Sequence, residues 1–216
     1  GCHNQASYQG AGGLLLDSWE HLFDGGNNGA AIVAYSPKFS PLLYFINTDS
    51  TLGPVAVPTM PNNGTPLTRD EYMTISNWVA SGAPDRNGNV PFASGIATRD
   101  KIYMTQQGCD LLAVIDAQKK VVMRYIKIGG DPGAIESAHA VHVSPDGQYA
   151  YVCFSSGAYL QKISTVTDTV VATVNVGIGG WNAFTISPDG QKIMLTDLTS
   201  GKLVQLTTAT MQASPP

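Results

Sequence analysis

Two kinds of sequence follow one another in this chain, and they predict an α segment followed by an all-β segment. Up to about residue 90, apolar residues recur at helical spacing between loops rich in Gly and Pro. Beyond it, short β-branched runs alternate with turns, and one turn-and-strand sequence is written twice, 43 positions apart. The stretch Ala83-Pro84-Asp85-Arg86-Asn87-Gly88-Asn89 has turn chemistry throughout and divides the chain into residues 1–90 and 91–216.

In the first part, Leu15, Leu16, Trp19, Leu22 and Phe23 predict a short helix over Leu14 to Phe23, ended by Asp24-Gly25-Gly26. Ser40 to Ile46 is a second apolar helical piece. Thr68-Arg69-Asp70-Glu71 is a capping box: Thr68 can accept from the backbone three residues on, and Glu71 can reach back. Behind it Tyr72, Ile75, Trp78 and Val79 share one face, and Gly82 followed by Pro84 stops the helix.

The second part repeats. Ser144-Pro145-Asp146-Gly147-Gln148 with the strand Tyr149-Ala150-Tyr151-Val152 returns as Ser187-Pro188-Asp189-Gly190-Gln191 with Lys192-Ile193-Met194-Leu195. Ala97 to Met104 is a degenerate earlier copy. Second strands are expected at Leu111–Asp116, Tyr159–Ser164 and Lys202–Thr207, and third strands at Val121–Ile128 and Val170–Val176. A period of about 40–45 residues with several strands per unit is that of propeller blades. One blade cannot bury both of its apolar faces, so blades stack. About three units fit after residue 92, which predicts part of a β-propeller; a β-sandwich is the alternative. Propellers close with about 4–8 blades, and Pro215-Pro216 falls in mid-pattern, so further blades are expected downstream.

Composition narrows the function. Hydrophobic residues make up 43%, enough for a core, and charged residues only 13%, about half the usual share. Twelve basic residues against sixteen acidic ones, net −4, give no footprint for nucleic acid. No apolar run approaches the roughly 20 residues of a membrane helix. Three widely spaced cysteines, Cys2, Cys109 and Cys153, do not describe a disulfide framework.

Cys2-His3 carries the sharpest chemistry. A Cys followed at once by His is the second half of C-x-x-C-H, the attachment signal for c-type haem. Two sulfurs bond the haem vinyl groups, and the adjacent His is held under the iron. The first Cys would lie three residues before Cys2. Such a site needs a second axial ligand, often a Met thioether. Pro58-Thr59-Met60-Pro61-Asn62-Asn63-Gly64 supplies one, because the prolines bar the loop from helix or central strand and display Met60. Met73, Met104, Met123, Met194 and Met211 read as core or surface residues.

Residues 1–90 resemble the small mono-haem cytochrome c domains of the planctomycete and Bacteroidetes type. The resemblance runs through Gly12-Gly13-Leu14, Gly29 with Ala31-Ile32-Val33, Pro37 with Ser40, Leu42-Leu43-Tyr44, Met60-Pro61, and Trp78 with Gly82-Ala83-Pro84. It implies one covalently attached haem c, with a thioether at Cys2, His3 as proximal ligand and Met60 as distal ligand. The missing first Cys departs from the pattern; it and a secretion signal are expected upstream of Gly1. Residues 92–212 resemble the YVTN family of β-propellers. Cytochrome c domains fused to such propellers are also similar to the haem d1 reductases, in which the propeller holds a second haem.

Other candidates weigh less. His139 and His142 lie in one expected strand, where a spacing of three puts them on opposite faces unless a bulge intervenes; both are read as structural, with one haem d1 or metal ligand as the alternative. His21 is expected to be exposed. Cys153 reads as a buried apolar residue and Cys109 as a turn residue. Asp85 to Asn89 spaces oxygens like a calcium loop but lacks the downstream Glu, and reads as a linker turn. The resulting expectation is a periplasmic or extracellular electron-transfer protein. Its haem is ligated by His3 and Met60, and its propeller part serves as a docking platform for redox partner proteins, with a stable membrane-associated complex as one form. Two alternatives stay open: a haem d1-type reductase with a second cofactor in the propeller, and an interaction protein that has lost its haem.

Overall fold

The computed structural model describes residues 1–93 and 95–213. The fold class is the one the sequence predicts: a small helical region followed by antiparallel blades of a partial β-propeller. By their contacts the residues form two compact units. One comprises residues 1–95 together with 115–124, and the other 96–114 together with Tyr125 onward. Pro215 and Pro216, where the repeat breaks off, lie outside the described residues.

The first unit has little regular structure. Its helices are α1 (Trp19–Leu22), α2 (Pro41–Ile46) and α3 (Arg69–Ala80), with 3-10 turns at Tyr8–Ala11, Pro37–Phe39 and Ser50–Leu52. The capping box on α3 is present in full: Thr68 accepts from the Glu71 amide and the Glu71 carboxylate accepts from the Thr68 amide at 2.8 Å. The first helix is shorter than its periodicity suggests. The Leu16 amide donates to the His3 carbonyl at 2.9 Å and the Leu14 carbonyl accepts from the His3 ring. Those backbone groups are therefore lost to a helical ladder, and the helix begins only after Ser18, which accepts from the His21 amide. Phe23, Ile32, Leu43, Tyr72, Val79 and Ala83 form the buried core, with Trp19, Leu42, Ile46 and Trp78 partly covered around it.

Among the described residues eleven strands make three antiparallel sheets in sequential order. The first is β1 (Lys101–Gln106), β2 (Leu111–Asp116) and β3 (Val121–Lys127). The second is β4 (Ala138–Val143), β5 (Tyr149–Phe154), β6 (Gly157–Ser164) and β7 (Thr169–Gly179). The third is β8 (Trp181–Ile186), β9 (Lys192–Asp197), β10 (Leu203–Thr207) and β11 (Gln212–Ala213). The end of the β2–β3 hairpin belongs to the first unit.

The sequence repeat is a repeat of bonds. In the second sheet the Ser144 hydroxyl accepts from the Tyr149 amide at 3.0 Å, and Asp146 accepts from the Gln148 amide at 3.0 Å. In the third sheet Ser187 accepts from the Lys192 amide at 2.9 Å, and Asp189 from the Gln191 amide at 3.0 Å. Gly147 and Gly190 both take φ of 72°, the left-handed region that suits glycine. Thr165 and Thr208 close the two turns by donating to the Gly147 and Gly190 carbonyls at 2.6 and 2.7 Å. Side chains alternate along each strand, so Tyr151, Cys153 and Leu160 of the second sheet meet Trp181, Phe184, Ile193, Leu195, Val204 and Leu206 of the third.

Candidate functional site

Cys2 and His3 stand at the start of a chain segment pinned by its own polar groups. The Ser7 hydroxyl donates to the Cys2 carbonyl at 2.9 Å, and the Asn4 side chain donates to the Gly1 carbonyl at 2.7 Å. The Cys2 thiol is free and exposed, open to a covalent partner. His3 is half-buried. Its Nδ1 lies 2.9 Å from the Leu14 carbonyl oxygen. A carbonyl only accepts, so Nδ1 carries the ring proton and the neutral ring keeps its lone pair on Nε2. A histidine that ligates a metal is usually held this way, with the second nitrogen donating to a carbonyl.

Met60 is held from the other side of the sequence. A helix leaves its last carbonyls without partners, and at the end of α2 two of them accept from this loop. The Ala56 amide donates to the Tyr44 carbonyl at 2.9 Å, and the Met60 amide to the Phe45 carbonyl at 2.7 Å. Asn47, fully buried, donates to the Gly53 and Pro54 carbonyls at 3.1 Å and fixes the loop's start. Met60 is half-buried, while Val55 and Val57 stand exposed beside it in the sequence.

No hydrogen bond joins Cys2, His3 and Met60 among the described residues. The donor set suits haem iron: an imidazole nitrogen with its lone pair available, and a thioether sulfur on a tethered loop. Partly covered Trp19, Leu42, Ile46 and Trp78 give the unit apolar surface beyond its own small core. The residues present therefore fit a c-type haem.

Residues 1–61 match the Planctomycete cytochrome C family. The matched segment contains Cys2, His3 and Met60 and ends before α3. This cytochrome family implies a c-type haem. Among curated proteins the sequence has no match. Among solved structures it is similar to hydrazine synthase of Kuenenia stuttgartiensis, at 24% identity and a TM-score of 0.48 over 53% of this chain and 33% of that one. It is also similar to apo AztD of Citrobacter koseri, at 17% identity and a TM-score of 0.44 over 55% of this chain and 31% of that one. The chain thus spans about a third of the length of either.

The remaining candidates are occupied by structure. A register shift does fall in β4, between Ala138 and Ala140, at His139. The His139 ring pairs with the Gln107 amide, and its carbonyl accepts from Thr105 at 3.1 Å. The His142 ring packs edge-on to Phe184 with centroids 4.6 Å apart. Cys153 is fully buried, and burial pushes its thiol up to about 11, so it is no thiolate near neutral pH. Asp85 Oδ1 accepts from the Asn87 and Asn89 backbone amides and Oδ2 from the Asn89 side chain, each at 2.8 Å, which is the chemistry of a turn. His21 is partly exposed and paired with Asp17 at 2.6 Å.

Sequence reasoning missed the buried ion pair in the second unit. Lys101 Nζ donates to Asp168 at 2.9 Å and to the Thr165 carbonyl at 2.6 Å, and the Tyr103 hydroxyl donates to the same Asp168 oxygen at 2.7 Å. The side chains of Lys101 and Asp168 are 5% and 0% exposed. A Lys and a Tyr two apart on a strand share a face, but nothing local in the sequence names their partner 67 residues on.

Proposed function

We propose that the chain is an extracytoplasmic c-type cytochrome that passes electrons through a haem held by His3 and Met60, with a thioether to Cys2. The bond from His3 Nδ1 to the Leu14 carbonyl carries this reading. It leaves Nε2 as the donor, inside a segment that matches a cytochrome family. Bound there, the haem supplies a one-electron couple. The chain would anchor it at Cys2 and hold it with the His3 imidazole and with the Met60 thioether, whose loop is tied to α2. With His3 and Met60 both engaged as ligands, outer-sphere electron transfer would be favoured over ligand chemistry.

The functional boundary is placed near residue 90, with residues 1–90 as the cytochrome part and 91–216 as YVTN-like blades that dock redox partners. The low share of charged residues, 13%, favours a stable assembly with partner proteins over electrostatic steering of a transient one. Among the described residues no helix is long and apolar enough to cross a membrane. Attachment of haem c outside the cytoplasm supports a periplasmic or extracellular location.

Met60→Ala tests the assignment. Removing the thioether is expected to let the reduced protein bind carbon monoxide and to lower its reduction potential. An unchanged potential with no carbon monoxide binding rejects Met60 as a ligand.

A further inference from the structure

Gly26 is a glycine that its own backbone does not require. It lies outside the left-handed region, so its conformation is open to any residue. The space around it is not. A Cβ at Gly26 would stand 2.7 Å from the Gly12 carbonyl oxygen, 3.2 Å from the Leu14 nitrogen and 3.3 Å from the Leu14 Cβ. The next residue adds a bond, since the Asn27 amide donates to that same Gly12 carbonyl at 2.8 Å. The Asn27 side chain lies over Gly13, so that a Cβ at Gly13 would overlap its oxygen. The loop at Gly26-Asn27 is therefore pressed onto the turn at Gly12-Gly13-Leu14. The last residue of that turn holds the carbonyl to which the His3 ring donates.

The loop is backed on its other side. A Cβ at Gly25 would meet the Gly29 carbonyl oxygen at 2.5 Å and the Val121 side chain at 2.8 Å. Gly26 and Gly29 exchange two backbone bonds of 2.9 Å, and Lys119 pairs with Asp24. A clash introduced at Gly26 thus has one soft side, the turn that carries Leu14.

We infer that Gly26 and Asn27 are positioning residues for His3: they hold the Leu14 carbonyl where it accepts the hydrogen bond from Nδ1–H, and so set the donor strength of Nε2. This rests on the reading of His3 as an iron ligand. A hydrogen bond from Nδ1–H makes the imidazole a stronger donor and fixes its tautomer and orientation, and partners of this kind commonly change affinity or activity 10–100-fold. Loosening the carbonyl weakens the donor and favours the reduced state.

The test compares Gly26→Ala with Gly88→Ala in the haem-loaded protein. Gly88 has φ of 84° and nothing within 4 Å of a Cβ, so its variant carries backbone strain without touching the turn. Gly26→Ala is expected to raise the reduction potential. A tenfold change in the reduced-to-oxidised ratio corresponds to about 59 mV for one electron. It is also expected to speed solvent exchange of the His3 Nδ1 proton in the reduced protein about tenfold, read by nuclear magnetic resonance. Gly88→Ala should move neither. Asn27→Gly removes the cover over Gly13 without any clash; it should shift both readouts the same way by less, and it serves if Gly26→Ala does not fold. Parent-like potential and exchange in Gly26→Ala and Asn27→Gly, or equal shifts in Gly88→Ala, overturn the inference. Failure of the underlying reading looks different, as a chain with no haem absorption. In that case nitrogen-15 shifts of the His3 ring still decide the clamp. A single Nδ1-protonated form in the parent and a tautomer mixture in Gly26→Ala support it; identical spectra overturn it.

Discussion

In the second and third sheets, Tyr151, Cys153, Leu160, Trp181, Ile193 and Leu195 are each buried to within about 1% of full cover, and they meet across one continuous interface. In the first unit the helices are four, six and twelve residues long. There the chain is held at scattered points by single polar groups. The Trp19 and Trp78 indoles donate to the Ala83 and Pro84 carbonyls at 2.9 and 2.8 Å. Ser40, fully buried, accepts from the Val33 amide and donates to the Ser36 carbonyl, both at 2.9 Å. The difference teaches where each unit draws its order. Sheets that repeat bury one another's apolar faces and leave little uncovered at their junction. A short-helix unit fixed by pins keeps apolar side chains half-covered, which suits a unit that completes its core around a ligand.

That contrast can be broken most directly in the sheets. Trp181→Ala removes a fully buried side chain whose indole donates to the Gly177 carbonyl at 2.8 Å. The expected loss is about 3–5 kcal/mol, seen as a lower melting temperature for the sheet transition with the haem spectrum unchanged. A loss under about 1 kcal/mol would mean that the sheets do not depend on this interface. The first unit should instead be sensitive to the loss of one hydroxyl. Ser40→Ala leaves the buried Val33 amide without its acceptor, at a cost of about 1–3 kcal/mol, and should act on the haem-bearing transition alone. A neutral Ser40→Ala would remove the distinction between pins and packing.

How much of this was legible in the sequence follows the same line. The helix Arg69–Ala80 was, because its capping box and its stop are local. The strands that follow the two turns were, because Ser144–Gly147 and Ser187–Gly190 write the same turn twice, whereas β8 and β11 carry no such local signal. The span Leu14 to Phe23 reads as one helix in the sequence, but His3 takes the Leu14 and Leu16 backbone groups and the helix starts only after Ser18. The bulge at His139 and the pairing of Lys101 with Asp168 depend on neighbours far along the chain. The same holds for the candidate site. Cys2, His3 and Met60 are named by residue type and immediate neighbours. The Leu14 carbonyl and the press of Gly26 on Gly12 are backbone contacts that no side chain announces.

The smallest effect sharpens the contrast at the surface. The hydrogen bond that the His21 ring donates to the Asp17 carboxylate raises His21 above its ordinary 6.5 and lowers Asp17 below its ordinary 3.8. A raised histidine contributes fully below its unfolded value, and that contribution is lost as pH rises through the folded one. A lowered aspartate contributes above its unfolded value and loses that as pH falls through its folded one. The pair is therefore at full strength between about 3.8 and 6.5. Titration of the His21 ring by nuclear magnetic resonance in Asp17→Asn should return it toward 6.5. An unmoved titration would show that the pair is not formed in solution.

Under the proposed function, residues 1–90 carry one covalent c-type haem and the blades carry no second chromophore. The most direct measurement is a reduced-minus-oxidised visible difference spectrum of the chain, produced in a host that attaches haem c. One sharp c-type α-band, at one haem per chain and retained after denaturation, is the expected result. No haem band, or a second band of a different haem type, would contradict it.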